Sequence, residues 1–257
     1  MNKGNGTDRL MPIAAGVMFF LFWQLGIFHL LLGVELYQLP LPSSIGATIV
    51  DKLPVLLAYS WVTLTEAVFG ILVGSLLGFI VAVLATVFPK WGYGGLFVLS
   101  ALNAVPIIAL APIMNLWFGD GLSGKIAVVA ITTMAAMAFN AYRGLNELKP
   151  FAEDLMQSYG ASRWVIFYKL RLPNSVTHMV TAMKINVTAG MIGAIIGEFF
   201  YSSKGLGYMI SNSVKVARMS EGWAGICFAA LIGIGLYSAV SLVERYKLKW
   251  HASQQIN

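Results

Sequence analysis

Residues 150–173 read PFAEDLMQSYGASRWVIFYKLRLP. They lie between two long apolar runs, and they are polar enough to sit in water and patterned enough to fold. Pro150 suits the first helical position. Phe151, Leu155, Met156 and Tyr159 then recur at helical spacing. Gly160 predicts a helix stop and Ser162 an N-cap for a second helix. Trp164, Ile166, Phe167 and Leu170 carry that second helix as far as Pro173. The expectation is a short helix, a glycine elbow and another short helix, a soluble hairpin suited to docking another protein.

Composition sets the frame around this hairpin. The 257 residues are 58% hydrophobic and 11% charged, with a mean hydropathy of +0.76. A soluble globular domain carries roughly 25% charged residues. The reading is an all-α integral membrane protein with a single transmembrane domain over residues 1–257. A lone cysteine, Cys227, excludes a disulfide framework within the chain. His29, His178 and His251 lie too far apart to show metal-site spacing. The net charge of +6 fits basic cytoplasmic loops rather than a nucleic-acid partner.

A spanning helix needs roughly 20 apolar residues. On that criterion about six spans are expected, at about residues 10–32, 60–88, 96–118, 126–142, 179–200 and 223–243. The loop 143–177, which holds the hairpin, falls between the fourth and fifth. The first run exceeds the apolar core of a signal peptide, and no small-residue cleavage site follows it. Residues 33–54 read as a loop with Pro40, Pro42 and Pro54, and residues 88–92 as a short turn. Gly70, Gly74 and Gly78 form a doubled G-x-x-x-G, which admits a second helix backbone at close range. Pro106 and Pro112 interrupt the third span. Prolines at this depth free carbonyls that must face protein or a cavity, so both are candidates for the translocation path as well as for simple packing. Residues 119–125 satisfy G-x-x-x-x-G-K, but Ile126 stands where a phosphate loop needs Ser or Thr.

In the fifth span Lys184, Thr188, Met191, Ile195 and Glu198 fall on one helical face. Lys184 and Glu198 are about 21 Å apart along the axis. Charges at membrane depth usually face the bundle interior or a wet cavity. Two readings stand: the stripe lines a translocation path, or Lys184 reaches one interface while Glu198 lies at the other. Residues 201–222 read as a polar external segment.

The residues of the hairpin carry a resemblance. Asp154-Leu155-Met156, Gly160, Leu170, Leu172 and Pro173 match the E-A-A-x3-G-x9-I-x-L-P loop of the membrane subunits of binding-protein-dependent ABC importers. Gly160 to Trp164 resembles the sulfonate, taurine and nitrate branch of that family. The departure lies in the first triplet, where Asp replaces Glu and Leu-Met replaces Ala-Ala. Ala104-Val105-Pro106-x-x-Ala109-x-x-Pro112 is similar to the family's third helix, and Ser202 to Gly207 to the stretch after its fifth. Asn140 sits near the end of the fourth span as in the family, although relatives have a proline where this chain has Ala136.

The resemblance implies a permease subunit that is not itself an enzyme and binds no cofactor. ATP and magnesium would be held by two cytoplasmic ATP-binding subunits. A second permease subunit, either a copy or a related chain, and an extracytoplasmic solute-binding protein would complete the importer. The cargo would be a small nutrient of the alkanesulfonate, taurine, nitrate or vitamin-precursor class. Asp154, Leu155, Met156, Tyr159, Gly160 and Arg163 would couple the permease to the ATPase. Pro106, Pro112, Asn140, Thr188 and Glu198 are the translocation-path candidates.

The implied location is a bacterial inner membrane. With both termini and the hairpin in the cytoplasm, that side holds Lys3, Arg9, Lys90, Arg143, Lys149, Arg163, Lys169, Arg171, Arg245, Lys247 and Lys249. The other side holds Lys52, Lys125, Lys204, Lys215 and Arg218. That asymmetry obeys the positive-inside rule. The competing reading is a stand-alone, gradient-driven carrier or channel with Lys184 and Glu198 as an ion relay.

Overall fold

A computed structural model describes residues 6–247. Lys3, Lys249 and the rest of the polar ends lie outside the described residues. The chain runs through α1 (Gly6–Gln24), α2 (Ile27–Leu32), α3 (Pro42–Asp51), α4 (Leu53–Val87), α5 (Pro89–Asn103) and α6 (Ile107–Phe118). It continues through α7 (Leu122–Asn146), α8 (Ala152–Ser158), α9 (Arg163–Ile166), a π-helical turn (Phe167–Arg171), α10 (Leu172–Tyr201), α11 (Leu206–Lys215) and α12 (Met219–Lys247).

The core is a three-helix bundle of α4, α7 and α10. The glycine stripe explains its tightness. A Cβ at Gly70 would overlap Val129, one at Gly74 would overlap Thr133 Oγ1 and the Ala130 backbone, and one at Gly78 would strike Met134 O. All of these neighbours lie on α7, so the stripe is the seam along which α4 and α7 touch backbone to backbone. Small α7 residues, Ala130, Ala135, Ala138 and Ala141, are buried along the bundle. Leu72, Leu76, Phe69 and Ile80 point outward from α4, as expected where lipid tails or another membrane subunit replace water.

Among the described residues four helical stretches are long and apolar enough to cross a membrane: Leu53–Val87, Leu122–Asn146, Arg163–Tyr201 and Met219–Tyr246. The region expected as a third span is two helices bent by 105°. The corner falls at Pro106, which has an extended backbone and cannot continue the helix before it. Counting that pair as one span gives five among the described residues, beside the shorter apolar helix Met11–Gln24. In the first expected span Gly26 takes a left-handed conformation (φ 76°) and separates α1 from α2.

Two expected loops are helical. Residues 42–51 form α3, which lies against α12, and α5 starts directly at Pro89. Helix α1 is held to this layer by Trp23 against Trp223 (ring centroids 5.4 Å) and by Gln24 Nε2 donating to Ser43 Oγ (2.9 Å). Residues 201–222, expected as a polar external segment, likewise contain a helix, α11, packed on α12 and α10.

The seam makes a sharp prediction. Gly74→Leu should abolish the monodisperse folded peak in detergent size-exclusion chromatography, because overpacking costs about 1–3 kcal/mol even where a core can yield. Gly94→Ala, where an added Cβ meets nothing within 4 Å, should elute like the parent. A folded Gly74→Leu protein would contradict this account of the seam.

Candidate functional site

The hairpin is built by local chemistry. Gly160 adopts φ +74°, its N–H donates to Gln157 O (2.8 Å), and the Ala161 N–H donates to Met156 O (3.0 Å). These two bonds close the end of α8 in a Schellman arrangement, which favours glycine at the left-handed position. Ser162 caps α9, its Oγ accepting from Val165 N–H (3.4 Å). The start of α8 differs from expectation. Pro150 is not its first residue: Phe151 stands at the N-cap with φ 60°, and the helix begins at Ala152. A left-handed backbone at a residue other than glycine stores strain of order 1–3 kcal/mol.

The larger correction concerns Pro173. The helix does not end there. Arg163 to Tyr201 is one continuous helical stretch of 39 residues. The π-helical turn explains why. In an α-helix the ring of Pro173 would clash with the carbonyl four residues back. The turn over Phe167–Arg171 widens the spiral, and Leu172 N–H donates to Phe167 O, five residues back.

The hairpin is braced to the rest of the fold by Arg171, a residue the sequence pattern did not single out. Its Nη2 donates to both Glu153 oxygens (3.0 and 2.8 Å), and its Nη1 donates to Leu145 O and Asn146 Oδ1 (both 3.0 Å). Asn174 Nδ2 adds bonds to Gly144 O (2.7 Å) and Glu147 O (3.0 Å). The end of α7, the start of α8 and the π turn are thereby tied together. Outside this brace Asp154, Leu155, Tyr159, Gly160 and Arg163 are exposed and Met156 is half-buried. Phe151 and Tyr159 are more than four-fifths exposed and Trp164 nearly two-thirds. A cavity of about 440 Å³ opens between this surface and the corner of α4 and α5, lined by Thr86, Pro89, Gln157, Arg163 and Trp164 among others.

The other end of the bundle holds a buried polar cluster. Glu198 is fully buried: Thr63 Oγ1 donates to its Oε1 (2.6 Å) and Gly207 N–H to its Oε2 (2.6 Å). A Cβ at Gly205 or Gly207 would overlap the Glu198 side chain, which is why the Gly-Leu-Gly of residues 205–207 is glycine-rich. Glu66, three residues after Thr63 on α4, and Lys125 on α7 are buried as well. Lys125 Nζ donates to Asp120 O (2.7 Å) and Gly121 O (3.3 Å), inside the turn that mimics a phosphate loop.

The stripe expected on the fifth span divides. Lys184 forms an ion pair with Glu244 on α12 and lies 5.8 Å from the Tyr237 ring centre. Thr188 lies on the exposed face of α10 beside Ile185 and Ile192. Glu198 turns inward. Pro106 is exposed at its corner, Pro112 lies within α6, and Asn140 Nδ2 bonds back to Ala136 O (2.8 Å).

Residues 70–247 match the family described as binding-protein-dependent transport system inner membrane component. The chain belongs to that family. The matched part of this permease contains the hairpin, Lys125, Glu198 and α11, whereas Thr63 and Glu66 precede it. The chain is 30% identical to the formylaminopyrimidine transport permease protein ThiX of Halalkalibacterium halodurans, over 96% of this chain and 98% of ThiX. It is 27% identical to the taurine transport system permease protein TauC of Escherichia coli, over 73% and 65% of the two chains. A chain of the MetNI methionine ABC transporter, solved in an inward-facing form, superposes with a TM-score of 0.65 at 17% identity, over 76% of the permease and 97% of that chain. At that identity the likeness concerns the fold.

The brace predicts a proteolysis pattern. Arg171→Ala should raise protease cutting within residues 151–162 several-fold, since a charge-assisted hydrogen bond is worth about 1.5–3 kcal/mol. Glu153→Ala should do the same, and Asp154→Ala, on the exposed face, should not. Equal cutting of all three variants would contradict the role given to Arg171.

Proposed function

We propose that this permease is the membrane-spanning subunit of an ATP-driven importer of a small polar nutrient, and that the hairpin at residues 151–171 seats the ATP-hydrolysing subunit. The observation that carries the reading is the hairpin itself. It presents Leu155, Tyr159, Phe151 and Trp164 to the outside of a polar segment, where they have no intramolecular reason to be exposed. An aromatic, partly apolar knob beside an open cavity suits a protein partner. Asp154, Met156, Gly160 and Arg163 complete the same surface. The hairpin then lies in the cytoplasm, together with both termini.

The importer pairs this single-domain subunit with a second permease subunit, two ATP-binding subunits and an extracytoplasmic solute-binding protein. ATP and magnesium reside in the ATP-binding subunits. Because α9, the π turn and α10 form one helical stretch, displacement of the hairpin is delivered to the length of α10, a rigid-body route to alternating access. Thr188, a polar residue on the exposed face of α10 with Thr181, Ile185 and Ile192, suits a path formed where the two permease subunits meet. Pro106, Pro112, Asn140 and Glu198 are the further candidates for that path. Near-full-length likeness to ThiX favours a vitamin precursor as cargo. The relatives named for taurine, sulfonate and nitrate transport keep small anions in the same class.

Gly160→Asp tests the coupling role. An added Cβ meets no neighbour within 4 Å, so the main cost is the left-handed backbone, about 1–2 kcal/mol. In proteoliposomes holding the full importer, uptake per ATP hydrolysed should fall by at least roughly fivefold, the lower end of a coupling free energy of about 1–3 kcal/mol. Amount and melting temperature of the variant should stay near the parent's. Parental uptake by a well-expressed variant, or uptake by the permease alone without ATP, would overturn the proposal.

A further inference from the structure

Helix α4 runs the length of the bundle, and a cavity opens at each end of it. Thr86, near its last turn, lines the cavity beside the hairpin. Tyr59, in its second turn, lines a smaller one of about 190 Å³ at the far end. Four parts of the chain build this second cavity. Lys52 comes from the junction of α3 and α4, Tyr59 from α4, Tyr208 and Asn212 from α11, and Arg218 and Glu221 from the entry to α12. The two tyrosine rings meet edge to face, with centroids 6.1 Å apart. Among the described residues the polar ends of Tyr59, Tyr208 and Asn212 bond to no other protein group. The two cations are loosely held. Lys52 reaches Asp51 at 3.7 Å and Arg218 reaches Glu221 at 3.6 Å, beyond hydrogen-bonding distance and worth little at an exposed rim. The turn that supplies Arg218 is strained: Ala217 holds φ 55°, a conformation that favours glycine. That left-handed step folds the chain back, so the Arg218 N–H donates to the carbonyl of Ser213 (2.9 Å), a residue of the cavity wall that is 1% exposed. Backbone strain of this kind clusters at ligand sites.

We propose that this cavity binds a small oxyanion, of the carboxylate, sulfonate or phosphate class, between Lys52 and Arg218. Charge selects the ligand. The charged side chains of the lining are Lys52 and Arg218 against Glu221, two positive and one negative, so a monoanion cancels the surplus. The Arg218 guanidinium presents its N–H donors as a fork that matches an oxyanion, and Lys52 adds a compact point charge. The Asn212 amide and the two phenols have donors for the remaining oxygens. The tyrosine rings offer the carbon end of the ligand an apolar surface. Because both existing ion pairs are long, the ligand displaces no strong contact. Size narrows the class. A pocket for a drug-sized ligand holds about 300–1,000 Å³, so about 190 Å³ limits the occupant to a small solute. On the proposed function this cavity faces the medium from which cargo arrives, a link that rests on that reading; the binding rests on the cavity itself.

The test uses methanesulfonate as the probe and follows its methyl signal by saturation-transfer NMR, with the full chain in nanodiscs of net-neutral lipid. The parent should give saturable transfer above that of empty nanodiscs. Dimethyl sulfone, a neutral isostere of the probe, should give none. Lys52→Gln and Arg218→Gln should each weaken binding about tenfold, the scale of one charge-assisted hydrogen bond, and keep the parent's size-exclusion profile. If a variant fails to fold, the neutral isostere on the parent decides, since binding equal to that of methanesulfonate would remove the recognition of charge. Absence of saturable methanesulfonate binding by the folded parent, or parental binding by a folded chain with both substitutions, would overturn the proposal. None of these readouts involves ATP or uptake, so failure here would leave the importer reading standing.

Discussion

A proline has no N–H to give and no room for the carbonyl four residues behind it. At Pro173 the chain meets that constraint by opening one π-helical turn rather than by ending the helix. The rest of the architecture depends on this choice. A break at Pro173 would leave the hairpin on a swivel. The widened turn makes the second hairpin helix and α10 one stretch of 39 residues, about 58 Å at the α-helical rise. One end carries the exposed surface of the hairpin and the other carries Glu198, on which α11 hangs. Single-turn π bulges commonly mark functional positions, and here the turn also aims Arg171 at α7 and α8.

The bundle that guides this long helix is held by shape more than by polar bonds. Between membrane helices lipid tails are as apolar as leucine, so close packing of small residues carries the association. Gly70, Gly74 and Gly78 bring α4 onto α7, and α10 closes the third side. Polar contacts add to this at intervals. Arg171 and Asn174 fasten the hairpin end, Asn186 Nδ2 donates to Ser75 Oγ (3.0 Å) midway along the bundle, and the bonds of Thr63 and Gly207 to Glu198 fasten the far end. Lys184 with Glu244 secures α12, most of whose surface faces outward.

Much of this was legible in the sequence wherever the cause was local. The serine cap and the left-handed glycine after α8 act within a few residues, and the small residues at every fourth position of α4 mark a packing face whose partner, α7, the spacing does not name. The family match agrees with the hairpin motif. What escaped the sequence had long-range causes. The rules for prolines in ordinary α-helices do not include the left-handed Phe151 after Pro150 or the π turn before Pro173. Thr63 and Glu198 lie 135 positions apart in the chain, and no local pattern pairs them. The apolar run at residues 10–32 promised a span by composition, but the left-handed Gly26 divides it.

The central claim is that the hairpin is the seat of an ATP-hydrolysing partner, and co-purification tests it most directly. The tagged full chain would be extracted gently from its native membrane and the proteins that accompany it identified by mass spectrometry. A second preparation would carry a flexible linker in place of residues 151–162, leaving the π turn and α10 intact. The account predicts that an ATP-binding subunit accompanies the parent and is lost from the replaced chain, while both chains keep the same size-exclusion profile. An ATP-binding subunit retained by the replaced chain would contradict it.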